Sequence, residues 1–212
     1  MPRPKAILQS EFPYHVSARC INKEWFNLPL LDVWNIMSRQ LSYVSWAYKA
    51  RIHSFVLMSN HFHMLISTPD SNLDLIMGNF MKECSRYMNE STGRINQAYG
   101  ARHFRGLIES DHYFLQAYKY IYRNPVEIGL SNSCESYRFS SLGFLLGQTQ
   151  ASFPIHYDQI LFQNIETTLR WLNQKPNNKD WKKVEMAMSK SVFKFPLSRR
   201  AKSPSHLEYN LI

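Results

Sequence analysis

The apolar residues in the first part of the chain follow two different periods. Residues 12–20 alternate in character, which is typical of a strand with one buried face. Between residues 28 and 41 the apolar side chains instead recur at helical spacing, and this spacing predicts an amphipathic helix. The apolar positions of that helix are Leu30, Leu31, Val33, Trp34, Met37 and Leu41.

The next apolar runs indicate a β-hairpin and a second helix. Residues 46–58 and 62–67 are rich in aromatic and β-branched side chains, which favour strands. Ser59 and Asn60 between them can form a tight turn, so a hairpin is expected there. After a loop that ends in good helix-capping residues, a helix is predicted over residues 73–89.

The following segment predicts a loop, a fourth strand and a third helix. Residues 99–105 are aromatic and basic, and residues 106–108 form a short apolar run. The helix after them is expected to end at Tyr122 or Arg123, because the residue before Pro125 is pushed away from helical geometry. The order strand, helix, strand, strand, helix, strand predicts an α+β protein with a ferredoxin-like antiparallel sheet and helices packed on one face.

The composition excludes a disordered chain and favours an anionic partner. Of the 212 residues, 44% are hydrophobic and 14% aromatic, which is enough for a packed core. The 25 Lys and Arg exceed the 16 Asp and Glu by nine, which puts nucleic acid ahead of a membrane surface as the partner. No apolar run suits a signal sequence or a membrane span, and three separated cysteines fit neither a disulfide framework nor a zinc site. We therefore expect a soluble cytoplasmic protein that binds no membrane.

The positive charge is unevenly distributed along the chain. Residues 151–212 hold 10 Lys and Arg against 5 Asp and Glu. We predict a main domain over residues 1–150 and a basic, partly helical extension over residues 151–212. The extension is expected to contain two short helices, near residues 164–174 and 178–189, and a basic stretch at residues 194–202. It is either an appendage that packs on the main domain or a source of further phosphate contacts.

Two histidines separated by one residue stand inside an apolar strand. The strand period points His61 and His63 to one face and Phe62 to the other. Two neutral imidazoles on one face can hold a divalent metal, but two ligands make an incomplete site. The other ligands must come from elsewhere in the protein, from substrate phosphate or from water. Structural or solvent-facing histidines are the alternative.

A tyrosine and an asparagine four residues apart form a second candidate group. On a helix, Tyr120 and Asn124 share a face and their side chains meet one turn apart. Tyr122 would need Val126 as its partner, beyond the proline, so Tyr120 is the tyrosine with an oxygen ligand one turn downstream. The alternative is that the tyrosines of this helix merely pack or bind water.

These motifs together resemble a known family. The run Met-Ser-Asn-His-Phe-His at residues 58–63 is followed by Tyr-Ile-Tyr-Arg-Asn-Pro-Val-Glu-Ile-Gly-Leu at residues 120–130. This pair is similar to the single-tyrosine transposases of the HUH superfamily, and most of all to the REP-associated tyrosine transposases of bacteria. Residues 14–16 and 137–141 also follow the family's usual course, so the resemblance covers roughly residues 10–145.

The resemblance implies an HUH core that acts on single-stranded DNA, often at the foot of a hairpin. By position it assigns His61, His63 and Asn124 as ligands of Mg²⁺ or Mn²⁺, and Tyr120 as the nucleophile. Attack by the tyrosine would leave a 5′-phosphotyrosyl link and a free 3′-hydroxyl, and a second hydroxyl could reverse the step. Relatives include monomers and homodimers, and both states stay open here.

Basic and aromatic side chains are the candidates for holding DNA. Arginines contact phosphates, whereas aromatic rings stack on unpaired bases. A compact loop before the fourth strand and the residues that flank the tyrosine supply most of these side chains. The alternative for the loop is a core position for its Phe and solvated arginines. The DNA-binding candidates are Arg19, Arg102, His103, Phe104, Arg105, Lys119 and Arg123.

Two other functions fit parts of the sequence. A non-catalytic module that binds single-stranded nucleic acid on a ferredoxin-like sheet would bind without cleavage and would be indifferent to chelators. Such a module exposes a pair of aromatic rings on its strands. This chain has two histidines there instead, which is evidence against the module. A metal-dependent hydrolase could use the same histidines to activate water, and it would leave no covalent protein–DNA adduct.

Overall fold

The protein is built on one four-stranded sheet flanked by helices. The computed structural model describes residues 7–95, 97–195, 197 and 203–212. The strands are β1 (Tyr14–Arg19), β2 (Arg51–Leu57), β3 (His61–Ser67) and β4 (Phe104–Leu107). The α-helices are α1 (Leu30–Ala47), α2 (Leu73–Thr92), α3 (Asp111–Glu127), α4 (Leu142–Leu145), α5 (Ile165–Asn173) and α6 (Asn178–Met188). None of the helices within the described ranges has the length and apolar composition that a membrane crossing requires.

The strand order confirms the predicted fold class. The sheet has the order β2-β3-β1-β4, and each neighbouring pair is antiparallel. The chain therefore forms two strand–helix–strand units, β1-α1-β2 and β3-α2-β4, whose strands interleave in one sheet. This is the ferredoxin-like arrangement of an α+β protein. The hairpin between β2 and β3 turns at residues 58–60, as the sequence predicted.

Helices cover both faces of the sheet, whereas the sequence predicted them on one face. Val16 and Met64 are paired across β1 and β3 and pack in a cluster with residues of α1 and α2. Their sequence neighbours His15 and Leu65 point to the opposite face because side chains alternate along a strand. There Leu65 packs in a second cluster with residues of α3, α5 and α6. The prediction missed this layer because α3 crosses to the face that α1 and α2 leave open.

The boundary between α1 and β2 differs from the prediction. α1 ends at Ala47 and β2 begins at Arg51, although the sequence predicted a helix that ends at Leu41 and an earlier strand. The intervening residues are aromatic and β-branched, which suits strands, but Val44 still packs on the core at helical spacing. Lys49, with a left-handed φ of 55°, then turns the chain into the sheet.

α3 continues through Pro125 to Glu127, beyond the end that the sequence predicted. The proline removes one N–H from the helix, and the helical pattern resumes because the N–H of Ile128 donates to the carbonyl of Asn124 at 3.3 Å. Gly129 adopts a left-handed φ of 77° and ends the helix there. The prediction was wrong because a proline this close to the end of a helix costs only one hydrogen bond. Asn124 thus lies inside the helix.

Residues 151–212 pack against α3. Leu172 of α5 and Val184 of α6 belong to the same hydrophobic cluster as Ile121 of α3. α5 and α6 coincide with the two helices that the sequence predicted for this segment. The far end of the predicted basic stretch, residues 198–202, lies outside the described residues. The boundary at residue 150 stays a prediction.

The three cysteines are free thiols with buried side chains. Burial raises the pKa of Cys20 and of Cys134 to about 12, and it raises the pKa of Cys84 well above its usual range. The thiols are therefore protonated at neutral pH, and none of the three is an activated nucleophile.

Candidate active site

Two histidines from β3 form the first wall of the site. His61 and His63 point to the same face of the sheet, and their ring centroids lie 5.0 Å apart. Across the ladder they pair with Arg19 and Ser17 of β1, whose side chains point to the same face. Alternation in β3 sends Phe62 into the core of the opposite face.

His61 is oriented by the residue before it. Its Nδ1 lies 2.8 Å from Oδ1 of Asn60, which can only accept, so this nitrogen is the N–H donor. The amide of Asn60 is itself fixed, because its Nδ2 donates to the carbonyl of Lys23 at 2.6 Å. Nε2 of His61 therefore carries a free lone pair. The sequence had indicated Asn60 only as a turn residue.

His63 is oriented by a third histidine. Its Nδ1 lies 2.9 Å from Nε2 of His15 on β1, and the two rings stack with centroids 5.2 Å apart. His15 is 3% exposed. The contact uses one nitrogen of His63 and leaves its Nε2 for another partner. The sequence left two roles open for His15, a position near the site or a structural one, and no spacing signal connects rings that are 48 residues apart.

The three imidazoles are neutral at physiological pH. Burial lowers the pKa of His61 to about 4 and that of His15 to about 3. Burial and the neighbouring histidines lower the pKa of His63 well below its usual value. A neutral imidazole is the form that binds a metal ion, so the site holds its histidines in that form.

Tyr120 and Asn124 of α3 form the opposite wall. The ring of Tyr120 meets that of His63 edge to face at 5.8 Å between centroids. Burial, followed by the charge of Glu185, raises the pKa of Tyr120 to about 12, while the nearby amide of Asn124 and the charge of Arg19 oppose this rise. Tyr120 and Asn124 are both buried, at 6% and 8% exposure.

The other tyrosines of α3 serve the core. Tyr118 and Tyr122 are each 1% exposed and meet edge to face at 4.8 Å. The hydroxyl of Tyr122 lies 2.9 Å from the hydroxyl of Ser141. Of the three tyrosines at positions 118, 120 and 122, only Tyr120 has a ring contact with a histidine of the site within the described residues.

An aromatic residue of the extension covers Tyr120. Trp181 of α6 stacks on the tyrosine ring, with centroids 4.7 Å apart and planes inclined by 27°. The site residues predicted from the sequence include none from the extension. No spacing signal could have revealed Trp181, because its position depends on how α6 packs against α3.

Lys119 and Arg123 do not have the position that DNA contact would require. Lys119 is fully buried, and its Nζ donates to the backbone oxygen of Ile212 at 2.6 Å. Arg123 is 4% exposed, pairs with Glu127 and donates to the carbonyl of Asn173 at 2.6 Å. Their prediction as DNA-binding residues is corrected, because both cations anchor residues 151–212 to α3.

The comparison with known sequences decides the family. Residues 32–121 match the sequence model of the family described as "Transposase IS200 like". This segment is an IS200-like transposase domain. It contains His61, His63 and Tyr120 and ends just before Asn124. The resemblance to the single-tyrosine transposases is thereby confirmed. No curated protein sequence matches the chain significantly.

One solved structure supports the fold of the chain. The structure of a REP-associated tyrosine transposase bound to a REP hairpin aligns with a TM-score of 0.59 and 17% identity, over 74% of this chain and 92% of that one. At this identity the likeness shows the fold. A proposed transposase from Deinococcus radiodurans aligns with a TM-score of 0.39 and 13% identity, over 57% of this chain and 95% of that one.

The remaining DNA-binding candidates separate into two groups. Arg19, Arg102 and Phe104 line one groove of about 320 Å³ together with Lys23, and we call these four residues the basic groove. Phe104 also contacts the ring of His15, at 5.9 Å between centroids. The basic groove therefore adjoins the histidine face of the sheet.

His103 and Arg105 lie on the other side of the same segment. Arg105 pairs with Asp74 of α2, and Nε2 of His103 lies 3.5 Å from the same carboxylate. The separation follows from strand geometry, because adjacent residues of β4 point to opposite faces and Phe104 pairs with Ser17. The compact DNA-binding loop predicted for residues 102–105 is thus divided between two surfaces.

A metal at this site would depend on the histidine pair and an amide. Among the described residues, no three His, Cys, Asp or Glu side chains are grouped to hold a metal ion. The free Nε2 lone pair of His61, the unengaged Nε2 of His63 and the amide oxygen of Asn124 nevertheless suit a divalent cation whose remaining positions are filled by oxygen ligands. The donor set of this site therefore fits the predicted group.

Proposed function

We propose that this transposase cleaves and rejoins single-stranded DNA through a covalent bond to Tyr120. The observation that carries the proposal is the meeting of β3 and α3, where the ring of Tyr120 lies 5.8 Å from that of His63 and Asn124 follows the tyrosine by one helical turn. The candidate nucleophile thus lies beside the two histidine rings, and the candidate amide ligand is on the same helix. His61, His63 and Asn124 would hold Mg²⁺ or Mn²⁺.

The phenol of Tyr120 forms the new bond to phosphorus. Its oxygen replaces the 3′-oxygen of the scissile phosphodiester, which leaves a 5′-phosphotyrosyl link on the protein. The phenol gives up one proton and the departing 3′-oxygen takes up one, so the products are the adduct and a free 3′-hydroxyl. Because the phosphodiester energy is kept in the tyrosyl link, a second hydroxyl can reverse the step and join strands.

Activation of the tyrosine is the main chemical demand. With its pKa raised to about 12, only about one Tyr120 in 10⁵ is ionised at pH 7. A divalent cation, when bound, supplies positive charge that favours the phenolate and polarises the phosphate. The amide of Asn124 and the charge of Arg19 also favour the phenolate. Neutral ligands suit this role because they leave the charge of the cation undiminished.

The basic groove is the proposed path of the DNA strand. Arg19 and Lys23 can contact phosphates, and Phe104 can stack on an unpaired base. We extend to this chain the REP hairpin that the aligned transposase binds, as a hairpin with single-stranded flanks. The protein would act in the bacterial cytoplasm as a monomer or homodimer, and its three free thiols suit a reducing compartment.

A non-catalytic DNA-binding module is the second candidate. The cover that Trp181 places over Tyr120 favours it, because a nucleophile at 6% exposure must be uncovered before it can reach a phosphate. Such a module would bind the same oligonucleotides through the basic groove and form no adduct.

A denaturing gel distinguishes the two functions. The protein is incubated with hairpin-bearing single-stranded oligonucleotides, with Mg²⁺, with Mn²⁺ or with a chelator. We expect a covalent adduct that requires the metal and disappears in Tyr120→Phe. Tyr122→Phe is the matched control, because its hydroxyl faces Ser141 in the core. An adduct that persists in Tyr120→Phe contradicts the assignment of the nucleophile, and binding without any adduct favours the non-catalytic module.

A further inference from the structure

A second, larger cleft lies next to the basic groove. It has a volume of about 510 Å³ and lies between α2 and the segment before β4. We call it the α2 cleft. Ala101 and Arg102 line both the α2 cleft and the basic groove, so the two spaces adjoin along this segment. A strand that occupies the basic groove can therefore pass its next nucleotide into the α2 cleft.

The walls of the α2 cleft combine an apolar surface with unpaired positive charge. Met77 and Met81 supply thioether side chains, which adapt to flat ligands. Lys82 and Arg102 make no ion pair or hydrogen bond with any residue in the described part of the chain. The carboxylate of Asp74 also lines the cleft, but it is paired with Arg105. The net charge of the lining favours a ligand with an apolar body and a negative group.

One buried polar atom in the α2 cleft lacks a partner. The side chain of His103 is 9% exposed, and its Nε2 makes no hydrogen bond with the described residues, although Asp74 lies 3.5 Å away. Burial lowers the pKa of His103 to about 4, so the ring is neutral at physiological pH. A neutral imidazole nitrogen can donate or accept a hydrogen bond at the edge of a nucleobase.

A glycine on α2 provides an independent observation. Gly78 lies within the helix and lines the cleft, and a Cβ placed on it would meet nothing within 4 Å. Glycine inside a helix costs roughly 0.5–1 kcal/mol relative to alanine. No neighbour within the described residues demands this absence of a side chain. A ligand that lies close to the helix backbone would explain why a glycine occupies this position.

We propose that the α2 cleft is a nucleotide subsite for an unpaired nucleotide of the bound DNA strand. Its base would lie against Met81 and the bare backbone of Gly78, and its phosphate would face Lys82 and Arg102. The inference rests on the proposed function, because the strand in the basic groove supplies the nucleotide. It adds a place where base identity can be read at a distance from the scissile phosphate.

The test combines a protein variant that fills the cleft with oligonucleotides that each lack one base. Gly78→Trp projects a ring into the open space. Leu75→Trp is the matched control, because it adds the same ring at an exposed position of α2 that does not line the cleft. Binding of hairpin oligonucleotides with an abasic site moved along the unpaired flanks is measured by fluorescence anisotropy without divalent metal. Thermal unfolding by circular dichroism checks that both variants fold.

The expected result is one abasic position that weakens binding by about tenfold in the native protein and in Leu75→Trp. Gly78→Trp should bind the intact oligonucleotide about tenfold more weakly and should be insensitive to that position. Lys82→Ala is a surface change that leaves the cleft open. It should reduce the slope of log affinity against log salt by about 0.7, the value for one phosphate contact on a single strand.

Two results overturn the proposal. One is an abasic profile that is the same in Gly78→Trp and Leu75→Trp. The other is competition by free dAMP without any sensitive abasic position, which would make the cleft a site for free nucleotides. A missing adduct on the denaturing gel, with the abasic profile intact, would instead contradict the role of Tyr120 alone. The two proposals therefore fail in different ways.

Discussion

The ring of Trp181 stacks on that of Tyr120, with centroids 4.7 Å apart, so a residue of the extension covers the proposed nucleophile. The contact joins α6 to the middle of α3, one turn before Asn124. Residues 151–212 thereby enter the site itself, beyond the two roles that the sequence left open for them. The indole therefore shields one face of the tyrosine ring.

Replacement of Trp181 tests whether the indole limits access to the tyrosine. A stacked aromatic pair contributes about 0.5–1.5 kcal/mol, so Trp181→Ala should increase the rate of adduct formation by about two- to tenfold. Trp181→Phe keeps an aromatic ring over Tyr120 and should stay close to the native rate. Adduct is quantified on denaturing gels over a time course. An unchanged rate in a folded Trp181→Ala protein would show that the indole does not restrict access.

Local periodicity was enough to predict the two walls of the site. His61 and His63 share a face because a strand alternates, and Tyr120 adjoins Asn124 because a helix repeats every 3.6 residues. The same alternation could have separated Phe104 from Arg105, since adjacent strand residues face opposite sides. That signal was present in the sequence, but a strand of four residues is too short to be assigned securely from its pattern.

The remaining features depend on contacts between distant segments. His15 meets His63 through the register of β1 and β3, which the sequence does not state. From the sequence, Lys119 is a candidate DNA-binding cation. In the structure it donates a hydrogen bond to the backbone oxygen of Ile212, 93 residues later. Charge alone cannot distinguish a buried anchor from a phosphate ligand. The placement of the extension on α3 decides between them.

The buried histidines should make the metal-free protein sensitive to mild acid. His15, at 3% exposure, has its pKa lowered from 6.5 to about 3. A lowered pKa in the folded state gives stability that is present above pH 6.5 and is lost as the pH falls toward 3. Between pH 7 and pH 5, this histidine alone should reduce the free energy of unfolding by about 2 kcal/mol.

Urea denaturation in the presence of a chelator, at pH 7 and pH 5, measures this loss. His15→Gln should remove most of its share of the pH dependence, whatever its effect on stability at pH 7. His206→Gln is the control, because that ring is half exposed at the surface. A His15→Gln protein that loses as much stability as the native one between the two pH values would exclude a neutral, buried His15.

The contact between His15 and His63 should also raise the affinity for a divalent metal. Groups that orient a metal-binding histidine typically change affinity by about 10- to 100-fold. His15→Phe keeps a ring in the core but removes the nitrogen 2.9 Å from His63, so it should weaken Mn²⁺ binding about tenfold. Electron paramagnetic resonance of free Mn²⁺ gives the dissociation constant. His53→Phe removes a histidine that bonds Ser67 elsewhere in the sheet, and it should bind Mn²⁺ normally.

The two surfaces around β4 predict different consequences for two neighbouring arginines. Arg102 lines the basic groove and has no ion pair among the described residues, whereas Arg105 is engaged by Asp74. Arg102→Ala should therefore weaken oligonucleotide binding and reduce the slope of log affinity against log salt by about 0.7, the value for one phosphate contact on a single strand. Arg105→Ala should leave that slope unchanged and lower the free energy of unfolding by no more than about 1 kcal/mol, as expected for an exposed ion pair. Anisotropy titrations at several salt concentrations and urea denaturation supply both numbers. Equal slopes for the two variants would mean that Arg105 leaves Asp74 when DNA binds, and the division of this segment between two surfaces would then not hold in the complex.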